Sequence, residues 1–125
     1  MRLLLDTHTA LWFFEDPSRL SSEARSAIED SASVAFLSAA SVWEWSLKRL
    51  RGKVSMPIDM TEAATRASFL ELSVTWFHGT TAASLPSLHG DPFDRMLIAQ
   101  ALVEELVLVT RDPLVQQYEV ATMPA

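Results

Sequence analysis

Cysteine is absent from all 125 positions, which excludes both a disulfide scaffold and a thiolate metal site. Long apolar runs are also absent. No uninterrupted stretch reaches the roughly 20 residues needed to cross a bilayer. The N-terminal "MRLLLDTHTALWFF" is broken by Asp6, and no small-residue cleavage site follows it. The expectation is a soluble cytoplasmic protein. Positive charge is scarce: the formal net charge is −6 and no lysine follows Lys53. That excludes a general nucleic-acid coating surface. A nuclease stays open, because acids grouped at a metal site count as negative only until a cation binds. With no repeat, linker or low-complexity segment, residues 1–125 read as one domain.

What is present is ordinary globular composition, 49% apolar and 21% charged. "RLLL" (Arg2 to Leu5) is a short continuous apolar run, as for a strand buried on both faces. A helix is expected over 7–16, stopped by Pro17, and another over 22–30 with Ser21 or Ser22 as cap. "VAFL" (Val34 to Leu37) predicts a strand. Ser38 then caps a helix to about Arg51, closed by Gly52. "DMTE" (Asp59 to Glu62) opens a helix to about Leu70. A strand at 72–75, a short helix to Pro86, a helix from Pro92 to about Glu105 and the strand "LVLVT" (Leu106 to Thr110) follow. A short helix at 113–117 and a weak strand, "EVAT", finish the chain. This alternation favours a mainly parallel sheet covered on both faces.

In such sheets, sites form beyond the carboxyl ends of the strands. Asp6 follows the first strand, Glu44 sits on the helix leaving the second, and Asp112 lies just past the fourth. Asp94 shares a helical stripe with Leu97, Ile98, Ala101 and Leu102, where a carboxylate is costly unless paired or bound to a cation. Each acid alone has a structural explanation. Asp91 fits an N-cap with Asp94 favouring the dipole, Ser41 to Glu44 matches a capping box, and Asp6 and Asp112 suit turns. Their convergence at one edge favours chemistry. Converging carboxylates need a cation, and an all-oxygen set suits Mg²⁺ or Mn²⁺.

The blocks "LLLDTHTALWFF", "SAASVWEWSLK", "HGDPFDRMLIAQA" and "LVLVTRD" resemble, in order, those of PIN-domain ribonucleases, and most closely VapC-type toxins of type II toxin–antitoxin systems. The resemblance spans Leu3 to Asp112. It implies a three-layer sandwich, with a central mainly parallel five-stranded sheet and helices on both faces. It also implies Mg²⁺- or Mn²⁺-dependent endoribonuclease activity, a homodimer and a VapB-type antitoxin that blocks the site. The family's metal-holding catalytic acids correspond to Asp6, Glu44, Asp94 and Asp112, the last at a position where the family alternates Asp and Asn. Asp91 then caps the helix and supports the site from behind.

Thr7 is a candidate for orienting metal-bound water, or a simple helix cap. Arg95 is a candidate phosphate contact, an Asp91 partner or a plain surface arginine. Within "KRLRGK" (Lys48 to Lys53), Arg49, Arg51 and Lys53 are candidates for tracking RNA phosphates, whereas Lys48 is placed to pair with Glu44. His8 and His89 lie near the expected site, with structural roles favoured over general-base roles. "ALWFF" and the pair Trp43 and Trp45 put apolar surface around most of two helices, so a dimer contact or an antitoxin groove is expected. Competing readings are a housekeeping RNA-processing nuclease, a histidine-driven metal-independent ribonuclease and a non-catalytic binding module. A haloacid-dehalogenase-like phosphotransferase wants a second Asp two residues after Asp6, where His8 stands. A phosphorylated receiver domain wants a late lysine that the chain lacks.

Overall fold

Leu3, Leu4 and Leu5 are completely buried in β1 (Arg2–Leu5), as a continuous apolar run requires when both sheet faces are covered. The computed structural model describes residues 1–53, 59–88 and 90–125. Around β1 it places β2 (Val34–Ser38), β3 (Leu70–Leu72), β4 (Val107–Thr110) and β5 (Thr122–Pro124). The sheet order is β3-β2-β1-β4-β5, and every neighbouring pair is parallel. Parallel pairing needs crossovers, which the helices supply. These are α1 (Thr7–Glu15), α2 (Ser22–Glu29), α3 (Ala39–Leu50), α4 (Met60–Arg66), α5 (Trp76–Ser84) and α6 (Pro92–Glu104).

Two apolar clusters occupy the two faces of the sheet. One gathers Leu3 and Leu5 with Leu11, Ile28, Trp45 and Met60; the other gathers Leu4 with Leu97, Ile98, Leu106 and Tyr118. The alternation of Leu3, Leu4 and Leu5 between them is the two-residue period of a strand. Among the described residues, no helix is long and apolar enough to cross a membrane.

Caps fix most boundaries where the sequence puts them. Ser21 accepts the Ala24 amide at 3.0 Å, and Ser38 accepts the Ala40 amide at 3.0 Å. Gly52 closes α3 with φ +70°, a conformation glycine adopts without a Cβ penalty. Four expectations shift. α4 ends at Arg66 instead of Leu70, because Ser68 turns left-handed (φ 61°) and starts β3 at Leu70 instead of Leu72. The last strand covers Thr122–Pro124 instead of 119–122, and proline is tolerated there because β5 is an edge strand. The expected helix at 113–117 is a single 3₁₀ turn, Val115–Gln117.

Candidate active site

β1 and β4 lie side by side with Leu5 opposite Val109, so both strands end at the same sheet edge. Asp6 turns the chain there. Its amide donates to Val109 O at 3.2 Å, and Oδ1 accepts the Thr9 amide at 3.0 Å as the N-cap of α1. Its other oxygen, Oδ2, accepts the Thr110 hydroxyl at 2.6 Å. Thr110 Oγ1 in turn accepts the Asp112 amide at 3.1 Å. One hydroxyl thus ties together the acids that follow two different strands. Asp112 Oδ1 accepts the Leu114 amide at 2.9 Å and starts the turn into the 3₁₀ segment. Asp6 and Asp112 line one cavity of about 200 Å³ together with His8, Trp12 and Arg111.

Glu44 reaches the same corner from α3 and is 9% exposed. Its Oε1 accepts the Thr7 hydroxyl at 2.6 Å, and its Oε2 pairs with Lys48 Nζ at 3.3 Å. Thr7 is buried. Because Asp6 caps α1, the Thr7 hydroxyl is spent on Glu44 and not on a cap. Ser38, rather than Ser41, caps α3; Ser41 Oγ is buried with no hydrogen-bond partner among the described residues.

Asp94 stands in the first turn of α6. Asp91 caps that helix, Oδ1 accepting the Phe93 amide at 2.8 Å and the Asp94 amide at 3.3 Å, with Pro92 as the first helical residue. Asp94 is half-buried, above Leu97, Ile98 and Ala101 in the core. Leu102 leaves the stripe at 39% exposure, since eight residues carry it about 80° around the helix. The Phe93 ring meets Trp43 edge-on at 5.1 Å, which sets the start of α6 against α3 beside Glu44.

Asp6, Thr7, Glu44, Thr110 and Asp112 therefore form one connected corner, with Asp94 on the helix packed against it. Among the described residues, no three Asp, Glu, His or Cys side chains are gathered closely enough to hold a metal ion. Carboxylates without a counter-charge repel one another, and here they rest on hydroxyl, amide and ammonium donors. The donor set is all oxygen in a chain with no cysteine, which fits a hard divalent cation such as Mg²⁺ or Mn²⁺.

The PIN domain family model matches residues 3–121. The chain belongs to the PIN domain family. It is 34% identical over 113 residues to Ribonuclease VapC22 of Mycobacterium tuberculosis, covering 88% of this chain and 86% of that protein. Its fold is similar to VapBC2 from Rickettsia felis bound to a promoter DNA fragment (TM-score 0.74, 11% identity, 98% of each chain). It is also similar to a toxin–antitoxin complex from Klebsiella pneumoniae (TM-score 0.69, 15% identity, 98% of this chain and 96% of that one). At such identities these two structures speak to fold alone.

Within this PIN domain the cations take distinct places. The Arg95 guanidinium donates to Pro86 O and Ala82 O, both at 2.8 Å, to Leu85 O at 3.0 Å and to Tyr118 Oη at 3.3 Å. Its planar fork closes the C-terminal end of α5. Arg49 lies over the Trp45 ring at 5.2 Å, while Arg51 and Lys53 are exposed at the end of α3. His8 is exposed and faces Trp12 at 5.9 Å. His89 lies outside the described residues.

Three residues had no part in the sequence reading. Thr110 was readable from register alone, since pairing Leu5 with Val109 sets Thr110 beside Asp6. Arg111 lines the cavity. His78 is buried, with Nδ1 accepting the Thr75 amide at 3.0 Å and Nε2 facing Glu104 Oε1 at 2.9 Å, which makes it a structural histidine holding α5 to α6.

Proposed function

We propose that this PIN domain is a divalent-metal-dependent endoribonuclease acting as the toxin of a toxin–antitoxin pair. The observation that carries the reading is the connected corner of Asp6, Thr110 and Asp112, joined through Thr7 to Glu44. The relative named a ribonuclease, VapC22, supports the activity. The likeness to toxin–antitoxin complexes fits the partner.

Asp6, Asp94, Glu44 and Asp112 are the residues that would hold Mg²⁺ or Mn²⁺. When bound, the cation offsets the charge on the phosphate and acidifies the attacking water. Thr110 fixes the rotamer of Asp6, Thr7 fixes that of Glu44, and Asp91 fixes the helix turn that carries Asp94. Lys48 balances the Glu44 charge. Arg49, Arg51 and Lys53 track the RNA backbone, whose phosphates supply sequence-independent affinity. Single-stranded segments are the accessible target.

Residues 1–125 act as a single PIN-like domain in the cytoplasm. Trp43, Trp76 and Phe77 are 62%, 96% and 66% exposed. Apolar surface of that extent suits a homodimer contact and a VapB-type antitoxin.

The test is cleavage of a structured RNA pool in Mg²⁺, Mn²⁺ or EDTA, with Asp94→Asn alongside. Discrete cuts that need metal, leave 5′-phosphate ends and vanish in the variant support the reading. Cuts that survive EDTA and leave cyclic phosphate overturn it in favour of histidine chemistry.

A further inference from the structure

Arg111 follows β4 directly and lines the cavity that also holds Asp6 and Asp112. An arginine that shares a cavity with two acids normally pairs with them. Here none of the ion pairs among the described residues includes Arg111. Its guanidinium is fixed by other means. Nε and Nη2 donate to Ala125 O at 3.2 and 2.8 Å, and Nη2 also donates to Arg19 O. The group lies over the Trp12 ring with its carbon 4.5 Å from the ring centroid, and Arg19 approaches the same ring at 4.8 Å.

Two nitrogens are thus committed to backbone oxygens and the group rests on an aromatic ring. The third nitrogen, Nη1, has no hydrogen-bond partner among the described residues. A tie between β4, Arg19 and Ala125 accounts for Nε and Nη2. It does not account for a guanidinium held beside the acids and left unneutralised by them.

We propose that Arg111 is a substrate-binding residue that donates Nη1–H to a non-bridging oxygen of the RNA phosphodiester, with Trp12 as its positioning residue. This rests on the nuclease reading above. The chemistry is complementary. The cavity is lined both by carboxylates that would hold a cation and by a fixed guanidinium, so a phosphodiester there meets two positive groups. Guanidinium donors match phosphate oxygens in geometry as well as charge. A donor already held in place costs little reorganisation when substrate arrives. At about 200 Å³ the space lies below the roughly 300–1,000 Å³ of drug-sized sites, and suits one phosphate and its sugar rather than a folded ligand.

The experiment is anisotropy of a short labelled single-stranded RNA in Mg²⁺ at several salt concentrations, on protein carrying Asp94→Asn to suppress cleavage. Adding Arg111→Gln is expected to weaken binding about tenfold or more. It should also reduce the slope of log K against log salt by about 0.7, the loss of one single-strand phosphate contact. Arg111→Lys keeps the slope but loses affinity, because a point charge lacks the fork. Trp12→Leu keeps the slope and lowers affinity by a smaller factor, and Trp12→Phe restores it.

Unchanged affinity and slope in Arg111→Gln, with a lowered melting temperature, would reduce Arg111 to a structural tie and overturn the proposal. If that variant does not fold, wild-type affinity in Arg111→Lys overturns it equally. A parent protein that binds no RNA at all takes down the nuclease reading, and this inference with it. Binding lost in Arg111→Gln while wild-type protein shows no metal-dependent cleavage would keep the phosphate site and reject the nuclease.

Discussion

The Thr110 hydroxyl donates to Asp6 Oδ2 at 2.6 Å while its oxygen accepts the Asp112 amide at 3.1 Å, so residues 104 positions apart share one orienting contact. Asp6 also accepts the Thr9 amide. With both carboxylate oxygens engaged, its rotamer is fixed before any substrate or cation arrives.

Thr110→Val keeps the shape and removes the hydroxyl. We expect a loss of about 1 kcal/mol, since Asp6 is part-buried and water replaces part of the lost bond. That corresponds to a few degrees in melting temperature. Turnover should fall further than stability does, because Asp6 loses its orientation. Thr110→Ser should recover both. A Thr110→Val protein with full turnover would show that the contact is only structural.

Thr7→Val tests the Glu44 arm. Glu44 is buried, and losing the 2.6 Å hydroxyl contact leaves Lys48 as its remaining charged partner. An incompletely satisfied buried carboxylate costs about 1–3 kcal/mol, so Thr7→Val should melt several degrees lower, and Thr7→Ser close to wild type. Calorimetry of the two variants decides. Equal melting temperatures would mean that Glu44 moves into solvent instead.

These contacts mark the limit of what the sequence makes legible. β1 and β4 are readable because continuous apolar runs belong to strands buried on both faces. α3 is readable because Ser38 and Gly52 announce its ends. β3 was displaced because its start depends on Ser68 adopting a left-handed conformation, which no glycine or proline advertises. β5 was displaced because Pro124 argues against a strand everywhere except at an edge. The candidate acids were visible as residues following strands. The contacts that hold them were less visible: Thr7 stood out as a residue, but its partner Glu44 lies 37 positions away, and Thr110 meets Asp6 across 104 positions, legible only once β1 and β4 are paired in register. The Arg95 tether had no such signal: its guanidinium donates to the backbone carbonyls of Ala82, Leu85 and Pro86, and carbonyls carry no sequence signature.

Asp59 supplies the acid-side prediction. Its carboxylate accepts the Thr61 hydroxyl and, at 2.7 Å, the Thr61 amide. These bonds, the hydroxyl first, hold its pKa below the usual 3.8. A depressed carboxyl stabilises the fold above its unfolded value, and that stabilisation is lost as pH falls through the folded value. The α4 cap should therefore persist at pH 4 and loosen only below 3.8. An NMR titration of the Asp59 carboxyl should give a midpoint under 3.8. A midpoint at or above it would show that the cap bonds are not kept in solution.

The homodimer proposal is tested at the start of α5. Trp76 and Phe77 are among its most exposed large apolar side chains, and Trp76 is too exposed to help hold α5 in place. Trp76→Ser with Phe77→Ser should convert a dimer to a monomer by light scattering, with little change in secondary structure. Wild-type protein that is monomeric at micromolar concentration would reject the dimer.

Asp94→Asn separates a metal ligand from a helix-dipole residue. An acid in the first turn of a helix stabilises it by about 0.3–1 kcal/mol, so a purely structural Asp94 predicts that the variant melts lower, with or without metal. A ligand Asp94 predicts the opposite pattern. Removing one of several neighbouring negative charges should leave the metal-free protein at or above the wild-type melting temperature. Cation binding should then stabilise wild type alone. At ten times the dissociation constant that amounts to about 1.4 kcal/mol, or a few degrees. Melts in EDTA, Mg²⁺ and Mn²⁺ give all three comparisons. A wild-type melting temperature indifferent to both cations would remove the metal site, and with it the ligand role of Asp94.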